Sequence, residues 1–182
     1  NNAVLAMYQD EDANMWIGTY DGLHLYNGKN TFVFRMELDN EFSLCSNIVL
    51  EIAPAEKGYL WVATSLGINK FSLRERRVVE SYMQYVDVEN IASDSEGNTV
   101  LFSGEDFITC YRPGRAFFED VYIPGVRAAE IVTVWSEAPR VFCTLGRDGE
   151  LVRYRLNDGE GKSLVRVSGR QLSARPVRKA FF

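Results

Sequence analysis

The sequence predicts an all-β chain, a partial β-propeller of about four four-stranded blades with the first strand of a fifth. Three observations in its 182 residues predict it: a motif of about a dozen residues recurs at intervals of roughly 40, short apolar runs flank every copy, and sustained 3.6-residue apolar spacing is missing. Eleven Phe, nine Tyr and fourteen Gly against five Pro add the balance expected of strands joined by Gly-containing turns.

The repeats can be followed in chain order. The first has VLAMYQD (residues 4–10), an acidic turn, NMWIGTYDGLHLY (14–26) and TFVFRM (31–36). The second has NIVLEIAP (47–54), YLWVATSLGINKF (59–71) and RVVESYM (77–83), so that Trp61, Thr64 and Gly67 align with Trp16, Thr19 and Gly22. The third, more divergent, has VENIASD (88–94), NTVLFSGEDFITC (98–110) and AFFEDVY (116–122). The fourth has AEIVTVW (129–135), RVFCTLGRDGELVRY (140–154) with two residues inserted before Gly149, and KSLVRV (162–167). Each copy thus reads strand, turn, strand, turn, strand, loop, strand, with DEDAN, EKG, DSEGN and YDG as turn signals. Four short strands in about 40 residues are the mark of a propeller blade, which has two apolar faces and needs stacked neighbours. The expected blades are 3–41, 42–86, 87–125 and 126–169, with 170–182 starting the next.

Alternation within NMWIGT places Trp16 and Gly18 on one face and Ile17 and Thr19 on the other. The aromatic reaches toward an adjacent blade while Gly18, or Ala63 in the second copy, leaves room for it. The third and fourth copies carry Val100 and Val141 where the first two carry Trp.

Composition bounds the function. With 46% hydrophobic and 25% charged residues the chain is globular, and at this length about 70% of its extended surface can be buried without disulfide or metal. Twenty-five acidic and fourteen basic residues precede Gly161, whereas six basic and no acidic residues follow Glu160. Such an acidic body repels nucleic-acid backbones, so no nucleic-acid partner is expected. No apolar run reaches the length of a membrane helix. Cys45, Cys110 and Cys143 are too widely spaced for a local metal or redox motif, and the last two lie in apolar runs as small buried thiols.

The pattern of an apolar strand, an acidic turn, WIGT, then GL and a tyrosine resembles the two-component regulator propeller repeat. Such repeats occur in tandem in the periplasmic sensor region of Bacteroides-type hybrid two-component sensor histidine kinases. The resemblance is strongest through residues 14–26, good through 60–71, and weaker in the third and fourth copies, with Ser103 and Asp106 standing where Thr and Gly are expected. It implies a noncatalytic, extracytoplasmic ligand-sensing segment whose parent is a histidine kinase, responding to oligosaccharides and controlling polysaccharide-use genes through a phosphorelay. Contact with the membrane is then expected only through the parent, and the remaining propeller blades of the parent are expected partners. His24, the only histidine, lies in the strand-like GLHLY and is not a phosphoacceptor. In isolation, uncovered blade faces favour a homodimer.

Propeller ligands meet the rim where second-to-third-strand turns and interblade loops converge. The turns offer Tyr20, Asp21, Ser65, Leu66, Glu105, Asp106, Arg147 and Asp148, and the interblade loops Ser46, Asn47, Asp87, Gly125 and Arg127. The site chosen from these is Tyr20, Asp21, Asn47, Arg127, Arg147 and Asp148: an aromatic to stack on a sugar face, carboxylates to accept hydroxyl hydrogen bonds and arginines to meet an acidic sugar. Asp10, Asp12 and Asn14 have the spacing of a calcium loop, but Met15 stands where such a loop needs Gly and strands flank it, so a plain turn and no metal are expected. No cofactor motif and no nucleophile or phosphate-binding motif occurs. Two other functions stay open: a protein–protein interaction scaffold, and a carbohydrate-active enzyme using a carboxylate pair across a cleft.

Overall fold

The computed structural model describes residues 3–82, 87–104, 107–115, 118–121, 123, 125–157, 164–172 and 176–177. Among the described residues sixteen strands form four antiparallel four-stranded sheets, each with its strands paired in chain order, the arrangement of partial propeller blades. The chain divides into two compact units, Asn1–Glu89 and Asn90–Phe182. Of residues 170–182, expected to open a fifth blade, Arg170 and Gln171 instead end the last strand of the fourth sheet, and apart from Leu172, Pro176 and Val177 the rest lie outside the described residues.

In the first unit, β1 (Val4–Gln9), β2 (Met15–Thr19), β3 (Gly22–Tyr26) and β4 (Thr31–Phe34) make one sheet. A second contains β5 (Val49–Pro54), β6 (Tyr59–Thr64), β7 (Gly67–Ser72) and β8 (Arg77–Tyr82). The turn between β2 and β3 explains the conserved spacing of the repeat. Gly22 sits at φ +119°, which a side chain would strain, and the Thr19 hydroxyl donates to Gly22 O and accepts from Asp21 N. Thr64 and Gly67 repeat the arrangement, the Thr64 hydroxyl donating to Gly67 O at 2.8 Å.

The two sheets pack through an aromatic cluster. Trp16, 1% exposed, stacks on Phe34 at 6.1 Å and meets Phe71 of the second sheet edge-on at 5.5 Å, while Phe34 and Phe71 lie 4.9 Å apart. Beside it the backbones come close: a Cβ on Gly18 would lie 2.7 Å from Val49 Cγ1 and 3.1 Å from Val49 O. Leu23, Leu25, Leu44, Ile52, Leu60 and Val62 fill the rest of this core. Trp61 is fully buried as well, in the equivalent strand position.

The acidic hairpin end is structural, as the turn reading expects. Asp10 Oδ1 accepts from the backbone of Asp12 and Asn14, and Oδ2 accepts from Asn14 Nδ2 and, at 2.8 Å, from Trp16 Nε1. Burial alone would push the Asp10 carboxyl up, but these donors outweigh it and hold it below the usual range. Asp10 therefore locks the turn and orients the tryptophan that joins the sheets.

The second unit contains β9 (Val88–Ser93), β10 (Thr99–Ser103), β11 (Phe107–Tyr111) and β12 (Glu119–Val121) in one sheet. A 3-10 turn at Ala128–Glu130 leads to β13 (Ile131–Ala138), β14 (Val141–Gly146), β15 (Glu150–Leu156) and β16 (Leu164–Gln171) in the other. Its core joins Val100, Phe102, Ile108 and Cys110 to Val134, Phe142, Val152 and Tyr154. Asp94 repeats the turn geometry of Asp10, its Oδ1 accepting from Glu96 N and Asn98 N. Its Oδ2 accepts from Asn98 Nδ2 and reaches across to the next hairpin, accepting from Arg140 N at 2.7 Å.

Strands β1, β5 and β13 each carry a pairing irregularity one residue past their start, between Val4 and Ala6, Val49 and Glu51, and Ile131 and Thr133. Counted from it, Tyr8 opposes Trp16, Ala53 opposes Trp61, and Trp135 opposes Cys143. The tryptophan position of the fourth repeat is thus held by Cys143, two residues beyond the Val141 of the sequence alignment. Cys143 precedes Gly149 by six residues, as Trp16 precedes Gly22 and Trp61 precedes Gly67, so the fourth repeat has no insertion between these two positions. Cys110 and Cys143 are buried as expected, all three cysteines are free thiols, and burial pushes the Cys110 thiol up to about 12.

Two predictions follow from this packing. Trp16→Ala should cost about 3–5 kcal/mol through lost burial and a residual cavity, and Gly18→Ala about 1–3 kcal/mol because Val49 must be displaced. Urea denaturation checks both, and a Gly18→Ala variant as stable as wild type would show that the close approach is dispensable. The second concerns Glu51, whose carboxyl burial raises to about 6. A raised acid favours folding most when protonated, so its contribution is full below about pH 4.5 and is lost as pH rises through about 6. Glu51→Gln should accordingly be more stable than wild type at neutral pH and lose that advantage near about pH 4, a trend that denaturation at stepped pH measures.

Candidate functional site

In the first unit the loop residues chosen from sequence gather around the β2–β3 turn. Tyr20 stands at its tip, 46% exposed, and makes no hydrogen bond among the described residues. Asp21 is held by Arg35, which donates from Nε to Oδ1 at 3.1 Å and from Nη2 to Oδ2 at 2.6 Å. That bidentate pairing holds the exposed Asp21 carboxyl below the usual range. Asn47 is half-buried and joins the loops, its O accepting from Gly22 N at 2.8 Å and its Oδ1 from Met36 N at 2.7 Å. Of the three, Tyr20 is available to stack on a ligand, Asp21 offers a charge already shared with Arg35, and Asn47 spends its side-chain oxygen on the fold. Nearby, the Ser46 and Ser65 hydroxyls bond each other at 2.8 Å and Leu66 is half exposed.

In the second unit, Arg127 and Asp148 line one cavity of about 210 Å³, bounded by the loop at Gly125–Arg127 and by β13, β14, β15 and β16. Arg127 precedes the 3-10 turn, its carbonyl accepting from Glu130 N. Asp148 Oδ1 accepts from Glu150 N and its carbonyl from Gln171 Nε2, fixing the β14–β15 turn. Arg147 serves the fold instead, donating from Nε to Ala129 O and from its backbone to Glu130 O, while its carbonyl accepts from Val177 N. Glu105 and Asp106 lie outside the described residues, and Asp87 is exposed at φ +52°.

Sequence reasoning missed most of the cavity wall. Thr144, Glu150, Tyr154 and Arg166 face it from three strands, with Arg166 Nη2 donating to Glu150 Oε1 at 2.5 Å. The signal was present in part, since Glu150 and Arg166 interrupt apolar strands, but their meeting depends on the β15–β16 register. It also missed a cleft of about 410 Å³ in the first unit at the β1–β2 and β5–β6 turns, lined by Asp10, Asp12, Glu56, Tyr59 and Arg74. There the buried Lys70 pairs with Glu56 and lies 5.0 Å over the Tyr59 ring. A lysine inside INKFS, where the first repeat has Leu25, was the sequence signal for an acidic partner.

His24 lies in β3, half-buried, with Nε2 3.2 Å from the Thr19 hydroxyl. Among the described residues no three metal-ligating side chains come together, and no helix is long and apolar enough to cross a membrane.

Comparison with known proteins adds to this geometry. Residues 1–21 match the family model "Two component regulator propeller". No curated protein matches the sequence significantly. Among solved structures, the extracellular domain of one Bacteroides thetaiotaomicron protein assigned to the hybrid two-component systems superimposes with a TM-score of 0.66 at 20% identity, over 92% of this chain and 25% of that one. A second such domain from the same organism gives 0.62 at 19% identity, over 84% of this chain and 20% of that one. The WD40 repeats of RRP9 give 0.68 at 11% identity, over 91% of this chain and 51% of that one. The chain thus spans a fifth to a quarter of the length of the two sensor domains, and at these identities the likeness is one of fold. It is a β-propeller segment whose fold is shared with the extracellular domains of Bacteroides two-component proteins and with the WD40 repeats of RRP9.

Proposed function

We propose that the chain is a noncatalytic, periplasmic ligand-sensing segment of a hybrid two-component sensor histidine kinase, responding to oligosaccharides and controlling polysaccharide-use genes through the parent's phosphorelay. The observation that supports this most is local: the strand, acidic turn and strand that match the regulator propeller family are the elements in which Asp10 orients Trp16 against the second sheet. Blades 3–41, 42–86, 87–125 and 126–169 are then consecutive members of a longer propeller, with 170–182 leading into the next. Tyr20 with Asp21 and Asn47 in the first unit, and Arg127, Arg147 and Asp148 in the second, are the residues proposed to face the ligand.

A second reading, a protein–protein interaction scaffold, is favoured by one observation. Met7, Ile17, His24 and Val33 form a continuous row across the first sheet, and Met7 is 65% and Val33 37% exposed. Such a face suits another blade of the parent or, in isolation, a second copy of the chain.

The two separate by titration. Neutral and acidic oligosaccharides are titrated calorimetrically against the intact sensor region, in wild type and in Tyr20→Ala. Sensing predicts saturable binding that Tyr20→Ala weakens about tenfold, as loss of a stacking ring does, with the melting temperature unchanged. Failure of every glycan to bind, with concentration-dependent dimerisation in light scattering, would replace sensing by the scaffold.

A further inference from the structure

We propose that the free edge of β16 takes up an extended acidic segment of a partner polypeptide, which joins the fourth sheet as an added strand. The proposal concerns a protein partner and goes beyond the sensing function above, standing whether or not a glycan binds.

The backbone supplies the docking edge. Among the described residues β16 pairs only with β15, so the other side of Leu164–Gln171 carries N–H and C=O groups with no strand to meet them. Of the strands that end the four sheets it is the longest, eight residues against four in β4, six in β8 and three in β12. The edge of β8 is already engaged, since Val78 N donates to Phe42 O, whereas among the described residues no such backbone bond reaches residues 164–171. Seven of the eight residues of β16 are exposed, Val165 by 39% and Val167 by 52%. An added strand would therefore gain ladder hydrogen bonds and apolar contacts together.

Charge selects the occupant. β16 contains Arg166 and Arg170 and no carboxylate, and no acidic residue follows Glu160. Arg166 is committed to its own sheet: Nη2 donates to Glu150 Oε1 at 2.5 Å, lying over Gly169, where a Cβ would overlap the guanidinium. The opposite face of the sheet is different. There the register sets Arg155 beside Val165, Arg153 beside Ser168 and Leu151 beside Arg170. Arg153 donates to Glu137, while the exposed side chains of Arg155 and Arg170 make no hydrogen bond or ion pair among the described residues. Carboxylates at alternate positions of an added strand would meet these two cations on one face. A second copy fits poorly, because β16 paired with its own copy gathers four arginines on one two-stranded ladder with no carboxylate in either strand.

The test is an amide-resolved NMR titration of the full chain with three synthetic peptides of about twelve residues. One alternates Glu with Thr and Val, the second has Lys in place of every Glu, and the third is the acidic peptide N-methylated at every residue, which keeps its charges but has no ladder donors. The acidic peptide should bind saturably with shifts concentrated at Leu164–Leu172. The N-methylated peptide should bind at least about tenfold more weakly, and the Lys peptide not at all. Arg155→Gln and Arg170→Gln should each weaken the acidic peptide about two- to fivefold, with the melting temperature unchanged. Equal binding of the N-methylated peptide would show charge attraction without strand addition and overturn the proposal. Equal binding of the Lys peptide, unchanged affinity in both variants, shifts confined to other elements or no binding would overturn it as well. Self-association of the free chain through β16 would replace the acidic partner by a second copy and overturn it too.

Discussion

A four-stranded sheet with apolar residues on both faces cannot stand alone in water, and covering one face by the next sheet is the constraint on which everything else here depends. In the first unit that contact is made by Trp16, Phe34 and Phe71, with Val49 drawn in against Gly18. The large ring and the missing side chain are complementary requirements of one interface. A Cβ at Gly18 would hold β5 away, and without the indole the space between the sheets would be empty. The second unit meets the same constraint without a tryptophan, bringing Val100 and Phe102 together with Val134 and Phe142.

Polar residues at the hairpin ends make this packing specific. Asp10 and Asp94 occupy the same position in their repeats and satisfy the same turn donors, yet the fourth acceptor position differs. Asp10 receives the Trp16 indole N–H within its own sheet, and Asp94 receives the Arg140 backbone N–H of the following one. An acidic turn that on spacing alone invites a metal is therefore committed to holding backbone and indole donors. At the β2–β3 turn, by contrast, Tyr20 is 46% exposed.

The fold was legible because its determinants are local and repeated. Trp16, Gly18, Thr19 and Gly22 each do one job within a dozen residues, and the second copy repeats all but Gly18, which becomes Ala63. What escaped the sequence is what depends on register. An insertion placed before Gly149 puts the tryptophan position of the last sheet at Val141, whereas strand pairing puts it at Cys143, with the same six-residue spacing to the glycine as in the first two copies. The cavity wall is assembled by pairing β15 with β16, which brings Arg166 to Glu150, and by the burial of Thr144. Of the loop residues picked for a ligand, Arg127 and Asp148 do share a cavity. Asn47 and Arg147 show what a loop assignment cannot foresee, since their side chains bond Met36 N and Ala129 O.

If sheet-to-sheet packing through the aromatic cluster carries the first unit, Trp16 and Phe71 must be energetically coupled although they belong to different sheets. A double-mutant cycle with Trp16→Leu, Phe71→Leu and the double variant, measured by urea denaturation, tests this directly. The account predicts a coupling of about 0.5–1.5 kcal/mol, the range of edge-on aromatic pairs in folded proteins. Additive single-variant costs, with coupling indistinguishable from zero, would contradict it and show that the two sheets hold their folds independently.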